Sequence, residues 1–219
     1  CVMAIVVESS ASNTATASAS LTITKPSGTV SGDVLVAFVN MVRASLIDTP
    51  PSGWTAINTT GSYTQWSVYW KVAGASEPAD YTWTESSTNW AGVIFRLSGV
   101  DNATPLDATT VTGEDATYDA NFNAGSITTV TDGAMVFASV FKEQQYITAG
   151  PGGSWTNGYL SSAAPGVGVA YRVLATAGAS GTATFTASAS QRNGYTTLAL
   201  RPAATASTRR NVVIGGGVL

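Results

Sequence analysis

Histidine is absent from this chain, which removes the commonest general base and the commonest transition-metal ligand. Without it neither a Ser-His-Asp nor a Cys-His arrangement can be built. The single cysteine, Cys1, has no partner base in the sequence around it and no second cysteine to pair with. Carboxylates are the remaining candidates. Glu77, Asp80 and Glu85 form one group and Glu114, Asp115 and Asp119 another, and two carboxylates flanking a sugar bond are what glycoside hydrolysis requires. Solvation at loops, or pairing with Lys71 and Arg96, accounts for the same residues more simply. Asp101, Asn102 and Asp107 offer oxygen ligands of the kind calcium takes, but their spacing fits no calcium loop, and a turn closed by Asx side chains explains them. The glycines Gly215–Gly217 open no helix and so form no phosphate cradle. The expectation is a non-enzymatic protein with no catalytic residues, no metal site and no cofactor.

Six tryptophans raise a different possibility, a stacking platform for sugars. Trp66 and Trp70 fall on an apolar strand face. Trp54 and Trp155 recur after similar Gly/Pro turns, and Trp83 aligns with Phe185, all of which favours packing. Trp90, beside Asn89 near a loop, is the candidate exposed aromatic contact, for a glycan or as an interface anchor.

The elements that must carry these residues are strands. No sustained helical spacing of apolar residues occurs, whereas short β-branched and aromatic runs are separated by Gly, Pro, Asn and Asp throughout. The runs predict strands over Ser20–Thr24, Asp33–Val42, Thr55–Thr60, Gln65–Ala73, Asp80–Glu85 and Trp90–Ser98. A second series follows: Ser126–Val130, Ala134–Lys142, Ser154–Leu160, Gly166–Leu174, Thr182–Ala187 and Tyr195–Arg201. The two series correspond. An offset of 101 residues relates Val68 to Val169 and Trp54 to Trp155. This is an internal duplication. Trp66, Val68, Trp70 and Val72 match Val167, Val169, Tyr171 and Val173, so this face is predicted core. Ser67, Tyr69 and Lys71 match Gly168, Ala170 and Arg172, so that face is predicted outward. Val34–Val42 and Ala134–Phe141 are apolar on both faces, as expected of central strands covered on both sides by loops or partners.

The expected fold is therefore all-β: a jelly-roll-like or immunoglobulin-like sandwich of about twelve strands, the halves stacked or interleaved, with two separate sandwiches as the alternative. Residues 20–202 form the sandwich, with halves at about 20–100 and 107–202. The short join, with Pro105 and Leu106, favours one domain. Residues 1–19 are expected as an N-terminal arm and 203–219 as an extended C-terminal arm. In the latter, Asn211, Val212, Val213 and Ile214 are suited to adding a strand to a neighbour's sheet edge, the alternative being a fold-back onto the same domain. Met3 opens MAIVVESSAS in the manner of a translation start. Cys1 is read either as the trace of an earlier start or added residues, or as a lipidated mature terminus.

Hydrophobic residues make up 44% of the chain and charged residues only 11%, against about 25% charged in average domains. Such a surface suits a protein packed among neighbours or lying outside the cell. Net charge is −3 and only Arg209 and Arg210 are adjacent basic residues, so nucleic acid is not an expected partner. No apolar run of about 18 residues is present, so no membrane-spanning helix is expected.

The order of GDVLVAF, GWT, YWKVAGASEP and SGVD, with ALRPA near the end, resembles a β-sandwich module of phage structural proteins, also found in some secreted bacterial proteins. The likeness covers about residues 18–203. It implies a virion surface protein in a decoration, fibre or tail role, with no catalytic residues. A capsid decoration or cement protein on the phage head is the first expectation, its partners the major capsid protein or copies of itself in a homo-oligomeric assembly. A tail or fibre component with receptor or glycan binding is the alternative, as is a secreted or lipid-anchored bacterial surface or filament subunit.

Overall fold

The computed structural model describes residues 2–42, 49–58 and 65–205. These residues are all strand and loop, in two antiparallel sheets. The first half supplies β1 (Val6–Thr24), β2 (Val34–Met41), β3 (Thr55–Asn58), β4 (Gln65–Val72) and β5 (Asp80–Ser98), in the order β1-β5-β2-β4-β3. The second half supplies β6 (Val111–Ala124), β7 (Ala134–Lys142), β8 (Ile147–Ala149), β9 (Thr156–Leu160), β10 (Gly166–Leu174) and β11 (Ala183–Leu200). Its order, β6-β11-β7-β10-β9 with β8 on β11, repeats that of the first half. Even β8 has a counterpart, the bridge between Thr49 and Thr84. The duplication read in the sequence is thus a duplication of topology. Each half makes one sheet, and the halves stack without interleaving.

Between the sheets lies a core drawn from both halves. Val34, Val36, Phe38, Val93 and Phe95 face Met135, Phe137, Val167, Val169 and Leu198. Phe38 and Phe95 lie 5.8 and 5.4 Å from Phe137, ring centre to ring centre. Each fully buried side chain of this size contributes about 1.5–3 kcal/mol. Trp66 crosses from β4 into the second half. It stacks on Phe141 at 5.6 Å and donates its indole N–H to Thr196 Oγ1 at 2.9 Å. Gly194 makes room for it, since a Cβ there would lie 2.3 Å from the Trp66 ring. Asn40, buried in the same layer, donates to the carbonyls of Lys142 and Gly166.

The outer faces are covered too, and the chain covers them itself. β1 and β5 pair along their whole 19-residue lengths, with register breaks near Ala15–Ser20, where Ala17 takes φ 47°. Beyond the breaks, Leu21, Ile23, Tyr81 and Trp83 lie over Leu35, Ala37, Val39, Tyr69 and Ile94. At Gly92 the overlap is so close that a Cβ would sit 2.9 Å from Leu21. β6 and β11 do the same in the second half: Phe122, Ala124, Ala183 and Phe185 cover Ala138, Val140 and Ala170.

This overlap corrects several expectations. Tyr69, predicted outward with Ser67 and Lys71, is buried, as are Ser67 and Ala170. The central strands are apolar on both faces because strand ends of the same chain cap them. Residues 8–19 are not a separate arm but most of β1. β5 and β11 each join two runs expected as separate strands. Ser126–Val130 is not a strand and carries only a bridge from Thr128 to Ala179, while Val111–Ala124, not expected, is β6. Of residues 203–219, Ala203 accepts a hydrogen bond from Met3 N at 2.8 Å and Ala204 bridges Val2, so the start of this stretch is tied to the sandwich. Asn211, Val212, Val213 and Ile214 lie outside the described residues, as does Cys1.

Candidate functional site

The carboxylates singled out in the sequence are mostly held by local partners. Glu77 accepts hydrogen bonds from Lys71 at 2.6 Å, Gly74 N at 2.7 Å and the Tyr81 hydroxyl at 2.8 Å. Partial burial pushes its carboxyl up, but these bonds together with the Lys71 charge outweigh it and hold the group below the ordinary range. Burial, then the Glu77 carboxylate, pushes the Tyr81 phenol well above its usual value. Asp101 closes a turn on Ala103 N and Thr104 N. Asp107 is buried and accepts from Val130 N and Thr131 N while pairing with Arg201 at 3.5 Å. In the first half Asp33 has the same duty, accepting from Val30 N and pairing with Arg96 at 2.6 Å. Among the described residues no group of three or more Cys, Asp or Glu could hold a metal ion.

Trp90 is not an exposed contact. It is fully buried in the outer layer of the first half and donates its N–H to Ser18 O at 2.9 Å. The sequence placed it near a loop, but that loop is the turning region of β5, where the strand folds over its own sheet. Trp155 is partly buried under the Arg172 guanidinium, 5.5 Å from its ring.

Two regions remain with features that packing alone does not require. The first is the edge of β1. A sheet edge offers unpaired backbone groups to any passing strand, and proteins blunt such edges by shortness, charge, proline or bulges. β3 and β9 are edges of four and five residues. β6 carries Glu114, Asp115 and Asp119 and two register breaks. β1, at the edge beside β5, runs for 19 residues with no proline and one charge, Glu8, and its three register breaks lie at Val7–Ser9 and over Ala15–Ser20, which leaves Ser9–Ala15 in unbroken register. Its exposed residues are Ser, Thr, Asn and Ala for most of that length, and Ser, Asn and Ala have little strand propensity, which is why residues 6–19 of it fall in the expected arm while Ser20–Thr24 is expected as a strand.

The second region is a cross-strand row on the outer face of the second sheet. Lys142 of β7 stands directly opposite Asn193 of β11, which stands opposite Asp115 of β6. Lys142 and Asn193 are fully buried. Lys142 Nζ donates to the carbonyl oxygens of Asp119 and Gln191 and lies 4.2 Å from the centre of the Phe122 ring. Burial pulls its pKa down to about 8, against the opposing pull of Asp119 and Asp115. Both side-chain amide atoms of Asn193 are buried without a hydrogen-bond partner among the described residues. Asp115 accepts from Thr117 N and Oγ1, bonds that hold its carboxyl below the usual range. The same row in the first half reads Met41, Trp90, Ala15 and is apolar throughout. Of the polar row, only Asp115 was singled out in the sequence. The signal available for Lys142 was that it ends an otherwise apolar strand at the position where the first half has Met41.

Comparison with family models, with curated proteins and with solved structures finds no match to this chain.

Proposed function

We propose that this chain is a non-enzymatic structural module that assembles with other protein subunits through the edge of β1, and that its place is the surface of a phage particle. The observation that carries the assembly reading is the long, nearly uncharged edge of β1, set against three other edges that are short or charged. Strand addition at such an edge supplies main-chain hydrogen bonds without a deep pocket. The low overall charge fits a surface spent largely on neighbours. Asn211–Ile214 is the segment suited to be the donated strand. The phage placement, and within it decoration of the head, rests on the resemblance of GDVLVAF, GWT, YWKVAGASEP and SGVD.

The test uses Ser10→Lys, Thr14→Lys and Thr16→Lys together, all at exposed positions of β1. Sedimentation velocity across a concentration series is expected to show wild-type assemblies and a variant shifted to monomer by at least tenfold in dissociation constant, with its thermal midpoint kept. Equal assembly by both chains contradicts the edge reading. Binding to undecorated heads, lost on truncation after Thr205, is the outcome expected for decoration. Binding to tails instead overturns the head placement.

A further inference from the structure

The polar row of the second half poses a physical problem. A buried ammonium needs an ion partner or several hydrogen bonds, and a buried amide left unpaired costs about 1–3 kcal/mol. Lys142 has two carbonyl oxygens and a ring face but no salt bridge among the described residues, and the Asn193 side-chain amide has no hydrogen-bond partner among them. The first half builds the same corner from Met41, Trp90 and Ala15, so the frame does not need polar groups there. Directly opposed residues of an antiparallel pair have Cβ atoms about 4.5–5.5 Å apart on one face. Nζ already rests on β11, bonded to the carbonyl of Gln191, two residues before Asn193.

We propose that Lys142 and Asn193 condense into an intramolecular isopeptide bond, with Asp115 as the proton carrier. The neutral amine attacks Asn193 Cγ. The Nζ–Cγ bond forms, the Cγ–Nδ2 bond breaks, and ammonia leaves with the two amide hydrogens and one proton from Nζ. Asp115 takes that proton and passes it to the departing nitrogen. Thr117 occupies Oδ1, which leaves Oδ2 for the transfer. Burial favours the reactive neutral amine, as nucleophilic lysines require. No oxidant, metal or cofactor enters the balance. The product replaces a buried charge and an unpaired amide by one neutral amide, and ties β7 to β11.

Intact-mass spectrometry of the purified native chain tests this. The expected mass is lower than the sequence mass by one ammonia, and fragmentation yields a branched peptide containing both Lys142 and Asn193. Lys142→Arg and Asn193→Ala, checked for folding by circular dichroism, are expected at full sequence mass. Ammonia loss that persists in folded Lys142→Arg, or a wild-type chain at sequence mass with no branched peptide, overturns the proposal. Asp115→Ala is expected to leave the chain unlinked, and complete linkage in that variant overturns the role given to Asp115.

Discussion

The two halves share one topology and differ in what they place on it. In the first, the row Met41, Trp90 and Ala15 fills the outer corner of the sheet with apolar side chains. In the second, the same row is Lys142, Asn193 and Asp115. The first half leaves a long edge with a single charge at β1, whereas the corresponding β6 is shorter and carries three carboxylates. Where both halves need the same structural service they find it in different residues. Asp33 holds Val30 N in one and Asp107 holds Val130 N in the other, each beside an arginine of its own half. The frame therefore tolerates substitution, so a costly polar row, or a long edge with little charge, found in only one half is not a requirement of the shared topology.

The comparison breaks most sharply at the interface between the halves. Gly194 and Ala91 occupy matched positions facing the central core, next to Asn193 and Trp90. Gly194→Ala drives a Cβ into Trp66 at 2.3 Å and is expected to cost about 1–3 kcal/mol in urea unfolding, by overpacking. Ala91→Gly is expected to cost about 1 kcal/mol, a lost methyl and a looser strand. Equal costs would mean that Trp66 yields readily and does not key the halves together.

A smaller contrast lies in the cations at matched positions of β4 and β10. Lys71 pairs with Glu77 at 2.6 Å, while Arg172 lies over Trp155 with no carboxylate pair among the described residues. The folded pKa of Glu77 lies below its ordinary value of 4.5. Its contribution is thus fully present above that value and is lost as pH falls through the lower folded value. Unfolding midpoints of wild type and Glu77→Gln, measured from pH 6 down to pH 2, are expected to differ by about 1 kcal/mol at the upper end and to converge at the lower. A constant difference would remove the ion pair as the cause.

Much of the frame was legible in the sequence because both copies had to bury the same faces. Gly166–Leu174 and Ala134–Lys142 were predicted with the bounds observed, since their β-branched and aromatic runs end at turns. Of β1 only Ser20–Thr24 is expected as a strand, and β6 not at all, because edge stretches rich in Ser, Ala and Asn with one half-buried side carry almost no periodic signal. Tyr69 is expected outward because Ser67 and Lys71 share its side of β4, and Trp90 exposed because Asn89 and a loop lie beside it, but the folding-over of β1 with β5 buries both. The polar row stayed hidden because its three members are far apart in sequence, and a lysine at a strand end reads as an ordinary solvated terminus.

The most direct test of the assembly account is amide hydrogen exchange of the dilute and the assembled chain, read at β1 against β6. Assembly is expected to raise protection across Val6–Asn13 by at least tenfold and to leave β6 unchanged. Unchanged protection at β1, or a gain confined to β6, would contradict it.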